Sequence, residues 1–419
     1  MTPLGSPWPD TAEQHGGELV VGGCSATAVA AEFGEPLYVY CAETLRARAR
    51  AYRASGGEVC VAAKANMTVG VLRVLREEGL GIDISSTGEL AAALRAGFAP
   101  ERIVVHGNAK TDAEIELFVG SGCGLLVIDG PDEPERIAAA ARRHGRVQRV
   151  LVRITPGISA GGHAKIVTGH SGSKFGLPPE QAAECVRRIE TLEGLEWLGP
   201  HVHLGSQIDD AAQLEQVVSL LRAWCLVHGL TPSLVDVGGG LGVAYGDGAP
   251  SDPGAFAKAV VAETGEAFPG ARVLFEPGRS VTATAGITLY RVITRKTAGD
   301  GTRWVALDAG MADNIRPTLY GARYTVAAAG LLDRTERELV SLAGRHCESG
   351  DVLATDVELP VVVPGDLVAF AATGAYVQSM ASTYNGALRP AAVLVEAGEA
   401  QLITRRETTD ELLARDLLQ

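Results

Sequence analysis

The sequence predicts an α/β protein: a (β/α)8 barrel of the TIM type over residues 43–287, plus an all-β domain, a β-barrel or sandwich, built from residues 288–419 and the N-terminal strands of residues 1–42. Three observations carry this. From about residue 43, short runs dense in Val, Ile and Leu alternate with amphipathic stretches of period 3.6, the pattern of parallel strands joined by crossover helices. Eight such strands fall before residue 287, the number that closes a barrel. Beyond residue 287 the hydrophobic period drops to two, and Gly, Pro and Asp turns separate the segments.

In chain order, ELVVGG and PLYVYCAE near the N-terminus are strand-like and are expected to pair into the β-domain, because the first barrel helix, AETLRARARAYRA (42–54), begins only afterwards. The barrel strands follow at VCVAAKA (59–65), GIDIS (81–85), RIVVHG (102–107), LLVID (125–129), VLVRIT (150–155), LGPHVHL (198–204), LVDVG (234–238) and VLFEPG (273–278). Helical stretches such as TVGVLRVLREEG and TGELAAALRAGF lie between them. A Gly-rich connection from Pro156 to Gly176 exceeds the usual two to six residues of a βα loop and reads as a lid or binding loop. The β-domain strands are read at TLYRVITRK, RWVALDAG, RYTVAAAG, RELVSLAG, DLVAFAATG and AAVLVEAGEAQLITRR.

Composition narrows the function. The 419 residues are 46% apolar and 21% charged, so a sizeable core can form, and the net charge is −13 with no Lys/Arg run. That balance argues against a nucleic-acid backbone or an anionic membrane as partner. The N-terminus carries no basic stretch followed by an apolar one, and no run approaches 18 apolar residues, so neither a secretory signal nor a membrane span is expected. The 7 cysteines (Cys24, Cys41, Cys60, Cys123, Cys185, Cys225 and Cys347) are scattered, without CxxC spacing or clustered His. They read as free thiols of a reducing cytoplasm, with no metal site.

Barrels of this type place their chemistry at the C-terminal ends of the strands. There the sequence offers Lys64, Asp83, His106, Asp129, Arg153, His203, GGGLG (238–242) and EPGR (276–279). A Lys desolvated on an apolar strand has a lowered pKa and a neutral amine available to a carbonyl; a Lys just past the strand would instead reach solvent. The glycine run lets backbone N–H groups approach an anion, and after strand seven it is a phosphate-site candidate, together with Gly278 and Arg279 after strand eight. Glu276 could hold a pyridine nitrogen protonated, as pyridoxal phosphate chemistry requires, or could pair with Arg279. His203 could stack on a planar cofactor or be a satisfied interior side chain.

With AAKAN (62–66), HGN (106–108), SKFG (173–176), HLGSQ (203–207), VDVGGGLG (235–242), EPGR (276–279), DAGMADNIRPTLYGARY (308–324), HCESGD (346–351) and TGAY (373–376) in order along nearly the whole chain, the sequence resembles the fold-type III pyridoxal-phosphate-dependent decarboxylases, and among them the group acting on meso-diaminopimelate in lysine biosynthesis. CESGD with IRPxLYG sets it apart from the racemases that share the fold. The resemblance implies pyridoxal 5'-phosphate carried on Lys64, with Glu276 at the pyridine nitrogen and His203 against the ring. It implies Ser206, Gly238, Gly239, Gly240 and Arg279 around the phosphate and Tyr376 touching cofactor and substrate. Arg279, Arg316, Tyr320 and Glu348 then bind the far end of a small amino-acid substrate, and Cys347 returns a proton to Cα. It further implies a homodimer in which the CESGD loop completes the partner's site.

The sequence departs from the family at Ser159–Ile166, SAGGHAKI, where His-Thr-His-Glu-Tyr is usual. HGNAK replaces HGNNK, and Val377 and Gln378 follow Tyr376. These departures bear on the substrate, so two alternatives stand beside diaminopimelate decarboxylation. One is a decarboxylase for another amino acid (ornithine, lysine, a D-amino acid or a conjugated one); the other is a non-catalytic pyridoxal-phosphate-binding homologue.

Overall fold

The computed structural model describes residues 2–157, 172–208, 212–246, 248 and 251–417. The SAGGHAKI segment lies outside the described residues. The chain divides into two compact units, Arg48–Gly242 with Ser251–Ser280, and Met1–Ala47 with Val243–Pro250 and Val281–Gln419.

The first unit is a closed parallel barrel of β1 (Glu58–Ala62), β2 (Gly81–Ile84), β3 (Ile103–Val105), β4 (Leu125–Ile128), β5 (Gln148–Arg153), β6 (Leu195–His201), β7 (Leu234–Asp236) and β8 (Arg272–Phe275). β8 returns to β1 through Leu274 opposite Glu58 and Phe275 opposite Val59. Beyond their first residues the strands are largely apolar and buried on both faces, as a barrel wrapped in helices demands. Inside, Cys60, Val104, Val127, Leu151, Leu198, Leu234 and Leu274 form one packed cluster, a residue from every strand but β2. On β2 a Cβ at Gly81 would lie 2.6 Å from Cys60 Sγ, so only glycine lets the two strands close.

Local sequence explains the helices. Val69–Glu77 buries Val71, Leu72, Val74 and Leu75, one stripe of a 3.6-period pattern. Thr87–Ala96 opens on Ser86, whose hydroxyl accepts from the Glu89 N–H, and closes on Gly97 in the left-handed region at φ 89°. Asp112–Gly120 opens with a reciprocal capping box between Thr111 and Glu114.

The second unit is β-rich. Its long strand Gly286–Thr297 pairs with Leu37–Cys41 and Leu367–Phe370 in its first half and with Arg303–Leu307 in its second, across a bulge at Val292/Thr294. Leu37–Cys41 is thus interior to the 9-stranded sheet, as expected for PLYVYCAE. The ELVV strand does something else: Glu18–Val21 joins a separate 4-stranded sheet with Thr2–Pro3, Glu13–His15 and Cys24–Ser25. The reason is packing, since Leu19 and Val21 share one core with Leu37, Val39, Ile287, Leu289 and Val393, so this small sheet covers the larger one. Several elements had no counterpart in the expectations from the sequence, among them the helices Ala26–Phe33, Arg316–Tyr320 and Thr409–Leu413 and the strands Thr2–Pro3, Glu13–His15, Cys24–Ser25 and Val352–Pro360. No described helix is long and apolar enough to cross a membrane. All seven cysteines are free thiols, six buried and Cys347 exposed.

Candidate active site

At the C-terminal rim of the barrel, β1 stops at Ala62, whose N–H donates to the Pro277 carbonyl at 3.1 Å. Lys64 sits in the centre of the one-turn helix Ala63–Ala65, between two buried alanines, with its own side chain exposed. Of the two readings weighed from the sequence, this is the Lys just past the strand that reaches solvent. The turn throws the side chain outward, close enough to act electrostatically on Asp83 and His203.

Glu276, directly after β8, is buried and takes the centre of the site. His106 Nε2 lies 2.5 Å from its Oε1 and His201 Nε2 lies 3.3 Å from its Oε2. Burial alone would raise its pKa; the two imidazoles overcome that and hold the carboxyl well below its ordinary range. An ionised carboxylate only accepts, so both Nε2 atoms carry the proton in these bonds. A carboxylate accepts about four hydrogen bonds, so with the two imidazoles bonded and the Asp236 carboxyl beside it, Glu276 still has room for another donor.

The pairing with Arg279 weighed from the sequence gives way to these partners. Arg279 instead donates to Ser206 Oγ from Nε at 3.2 Å and from Nη2 at 3.1 Å. That couples two of the expected anion-binding residues across 73 residues of chain.

Around this centre, burial and the negative Glu276 push the Asp236 carboxyl well up. Asp83 rises to about 6, burial outweighing the nearby His106. His203 is held neutral by burial and by the positive Lys64 and Arg153, and its Nδ1 accepts the Gly239 N–H at 3.2 Å.

The glycine run is tighter than an anion loop requires. Gly238 has φ +67°, and a Cβ there would meet the Val202 carbonyl at 2.6 Å; at Gly239 it would meet the Glu276 carbonyl at 2.2 Å. Gly238 N–H is already bonded to Asp236 Oδ1 at 2.8 Å. The run is therefore glycine first because the chain leaving β6 at Val202 and β8 at Glu276 crowds it, which the sequence did not reveal. At the stem of the long loop, Thr155 N–H donates to the Leu177 carbonyl and Leu177 N–H to the Arg153 carbonyl, while Gly176 N–H donates to Asp129 Oδ2 at 2.8 Å.

One ligand atom each from His106, His201, Asp236 and Glu276 lies within 4.8 Å of the others, the spacing of a cation site. With both Nε2 atoms donating to Glu276, the rings aim protons rather than lone pairs at the centre. The set therefore suits a donor such as a pyridinium N–H better than a metal. Together with a neutral His203 and the Arg279–Ser206 pair, these residues fit pyridoxal phosphate.

The remaining predicted residues belong to the β-rich unit. Arg316 opens the helix Arg316–Tyr320 and is buried, its Nε donating to Tyr324 Oη at 2.8 Å. Its guanidinium carbon lies 5.5 Å from the Tyr320 ring centre, 5.6 Å from Tyr376 and 5.8 Å from Tyr245. Tyr376 holds φ +58°, a strained backbone for a bulky residue. Cys347 and Glu348 are exposed on a loop folded around Asp351, which accepts from Met311 N–H at 2.6 Å and His346 N–H at 2.8 Å. Thr318 Oγ1 donates to the Gly350 carbonyl at 2.9 Å and ties this loop to the Arg316 helix. Tyr245, Tyr324, His201 and Asp236 were missed as site candidates. His201 and Asp236 had period-two spacing to recognised residues, His203 and Gly238, and Asp236 and Tyr324 lie inside the motifs VDVGGGLG and DAGMADNIRPTLYGARY; Tyr245 had no such signal.

Comparison with known proteins agrees with this arrangement. Residues 42–283 match the family model described as "Pyridoxal-dependent decarboxylase, pyridoxal binding domain". The chain is 41% identical over 437 aligned residues to the diaminopimelate decarboxylase of Mycobacterium tuberculosis, covering 98% of this chain and 97% of that protein. It is 38% identical to that of Bacillus subtilis, covering 96% of each. Its fold superimposes on the crystal structure of diaminopimelate decarboxylase from M. jannaschii in complex with L-lysine, with a TM-score of 0.92 at 33% identity and 98% of each chain covered. Full-length likeness at this level, on a barrel with these rim residues, shows that the chain belongs to the pyridoxal-dependent decarboxylase family.

Proposed function

We propose that this chain converts meso-2,6-diaminopimelate to L-lysine and CO2, a step of lysine biosynthesis. The observation that carries the reading is the buried, ionised Glu276 on the same rim as Lys64. The substrate is taken from the relatives that carry the name diaminopimelate decarboxylase over the full length of the chain. When bound, pyridoxal phosphate supplies the electron sink for the pair released as the Cα–carboxylate bond breaks.

The chain's residues do the rest. Lys64 supplies the amine that anchors the cofactor, with Asp83 beside it. Glu276 keeps the pyridine nitrogen protonated, and His203 packs against the ring. Ser206, Gly238, Gly239, Gly240, Gly278 and Arg279 hold the phosphate, and Tyr376 orients cofactor and substrate. Arg279, Arg316, Tyr320 and Glu348 read the far amino and carboxylate groups, and Cys347 protonates Cα. The enzyme works in the cytoplasm as a homodimer whose exposed Cys347–Glu348 loop serves the partner's site. The reading is supported by Arg316, a permanent cation buried among tyrosines, which suits a second carboxylate.

The test is CO2 release by the cofactor-loaded protein from meso-diaminopimelate, beside L-lysine, L-ornithine, D-lysine, D-ornithine and a Lys64→Ala control. CO2 and L-lysine in equal amounts from diaminopimelate alone is the expected result. Silence on diaminopimelate with release from another of these amino acids overturns the substrate.

A further inference from the structure

Three buried carboxyls, Asp83, Asp236 and Glu276, crowd the C-terminal end of the barrel interior, and like charges this close do not all ionise. Their surroundings differ, although Asp236 lies close enough to Glu276 to share a proton with it. Asp236 Oδ1 accepts a backbone N–H from Gly238 at 2.8 Å, and Asp83 Oδ1 is 3.7 Å from His106 Nε2, beyond hydrogen-bond reach. Only Glu276 is bonded by imidazoles, one on each oxygen, at 2.5 Å and 3.3 Å. The two rings also brace each other edge to face, with centres 4.8 Å apart and planes at 62°.

His201 is pushed down to about 3, chiefly by burial, and is therefore neutral. It carries its proton on Nε2, facing Glu276, and its Nδ1 has no hydrogen-bond partner among the described residues. A buried acceptor without a partner is the milder defect, so this tautomer is the one the site favours. Among the described residues, the other charged or titratable groups acting on the cluster include Lys64 and Glu89 near Asp83, Arg153 at the end of β5, the buried His203 after β6, and the Cys60 thiol on β1, raised by burial and the negative carboxyls.

We propose that His106 is a positioning residue for the reaction: its Nε2–H selects Glu276, rather than Asp83 or Asp236, as the carboxyl that stays ionised, and aims it, with His201 steadying the second oxygen. His106 touches neither substrate nor reacting atoms in this role. It acts through Glu276, whose charge in turn keeps a pyridine nitrogen protonated, so the inference rests on the cofactor assignment above. Losing His106 moves the negative charge off Glu276 or shares it with Asp83 and Asp236, and the pyridine nitrogen loses its counterion.

The test compares His106→Leu, which removes the donor, with His106→Gln, which retains an N–H donor. In the cofactor-free proteins, infrared difference spectra against Glu276→Gln report the pH at which Glu276 titrates. Leu is expected to raise that midpoint by about one unit or more, and Gln to restore most of it. In the loaded proteins, the resonance of 15N-labelled pyridoxal phosphate is expected to move toward the unprotonated position in the Leu variant only. Its kcat should fall about ten- to hundredfold, the usual worth of a hydrogen bond to a charged group, with KM near wild type.

If the Leu variant does not fold, His106→Asn, whose shorter amide withdraws the donor, carries the same measurements. A Glu276 midpoint and a 15N position equal to wild type in a folded Leu or Asn variant overturn the proposal. The cofactor-free spectra involve no amino-acid substrate. A His106-dependent midpoint in a protein silent on diaminopimelate therefore overturns the substrate and sustains this inference, and a His106-independent midpoint in an active enzyme does the reverse.

Discussion

Replacing Tyr324 by Phe removes a single oxygen from the wall around Arg316. The lost bond, Arg316 Nε to Tyr324 Oη at 2.8 Å, is made by a buried cation, a class worth about 1.5–3 kcal/mol. The rings of Tyr320, Tyr376 and Tyr245 stay in place at 5.5, 5.6 and 5.8 Å. Those distances are near the outer limit of about 6 Å for a cation–π contact, so they hold the guanidinium only loosely. Phe keeps the edge-to-face contact with Tyr245, whose centre lies 5.3 Å away, and the contact with Phe370 at 6.4 Å, so the packing survives. Arg316 then keeps its charge and loses its orientation. With Arg316 reading the substrate's far carboxylate, KM for diaminopimelate should rise about tenfold or more, by the factor of ten per ~1.4 kcal/mol, while kcat stays close to wild type. The assay is initial-rate CO2 release against diaminopimelate concentration, with unfolding midpoints recorded for both proteins. An unchanged KM, or a fall in kcat at constant KM, would refute the reasoning, because it would place Arg316 away from the part of the substrate that sets affinity.

Other expectations follow from the same geometry. Mixing Lys64→Ala with Cys347→Ala subunits should restore activity absent from either variant alone, since a hybrid dimer rebuilds one intact composite site; no recovery on subunit exchange counts against the homodimer. Gly199→Ala would drive a Cβ to 1.8 Å from the Leu234 carbonyl, and overpacking of this kind costs about 1–3 kcal/mol or more, so the urea midpoint should drop, and a midpoint equal to wild type would show that β6 and β7 can yield.

Asp313 is raised to about 7, chiefly by burial, above an unfolded value near ~3.9. The folded state therefore binds the extra proton between those values, and stability from this group is present in acid and lost as pH rises toward 7. Asp313→Asn should accordingly gain in melting temperature relative to wild type on going from pH 4.5 to pH 8, and a constant difference would be inconsistent with the buried, protonated carboxyl. Asp351→Ala frees the Met311 and His346 N–H groups and should lower kcat through the displaced Cys347 without altering cofactor binding, as measured by equilibrium dialysis.

Much of this protein was readable from local pattern. The eight barrel strands and the helices between them announce themselves because a strand buried on both faces must be apolar throughout and a covering helix must be apolar on one stripe. Strand ends carry chemistry because only there does a barrel open, so Lys64, Asp83, His203 and Glu276 stood out before any coordinates. Pairing between remote segments has no such local trace. Glu276 finds its imidazoles 170 and 75 residues away, Arg316 draws its tyrosine wall from positions as distant as Tyr245 and Tyr376, and ELVV leaves the large sheet because its two buried side chains complete a core shared with strands as distant as Gly286–Thr297 and Ala391–Glu396. Even the exposure of Lys64 depended on where β1 ends against Pro277. Sequence by itself determined the barrel strands, the helices between them and which residue types reach the rim, since those depend on neighbours a few residues apart. The tertiary structure decided which carboxyl keeps its charge and which donors surround each ion, because burial and electrostatic contact are properties of space and not of chain order.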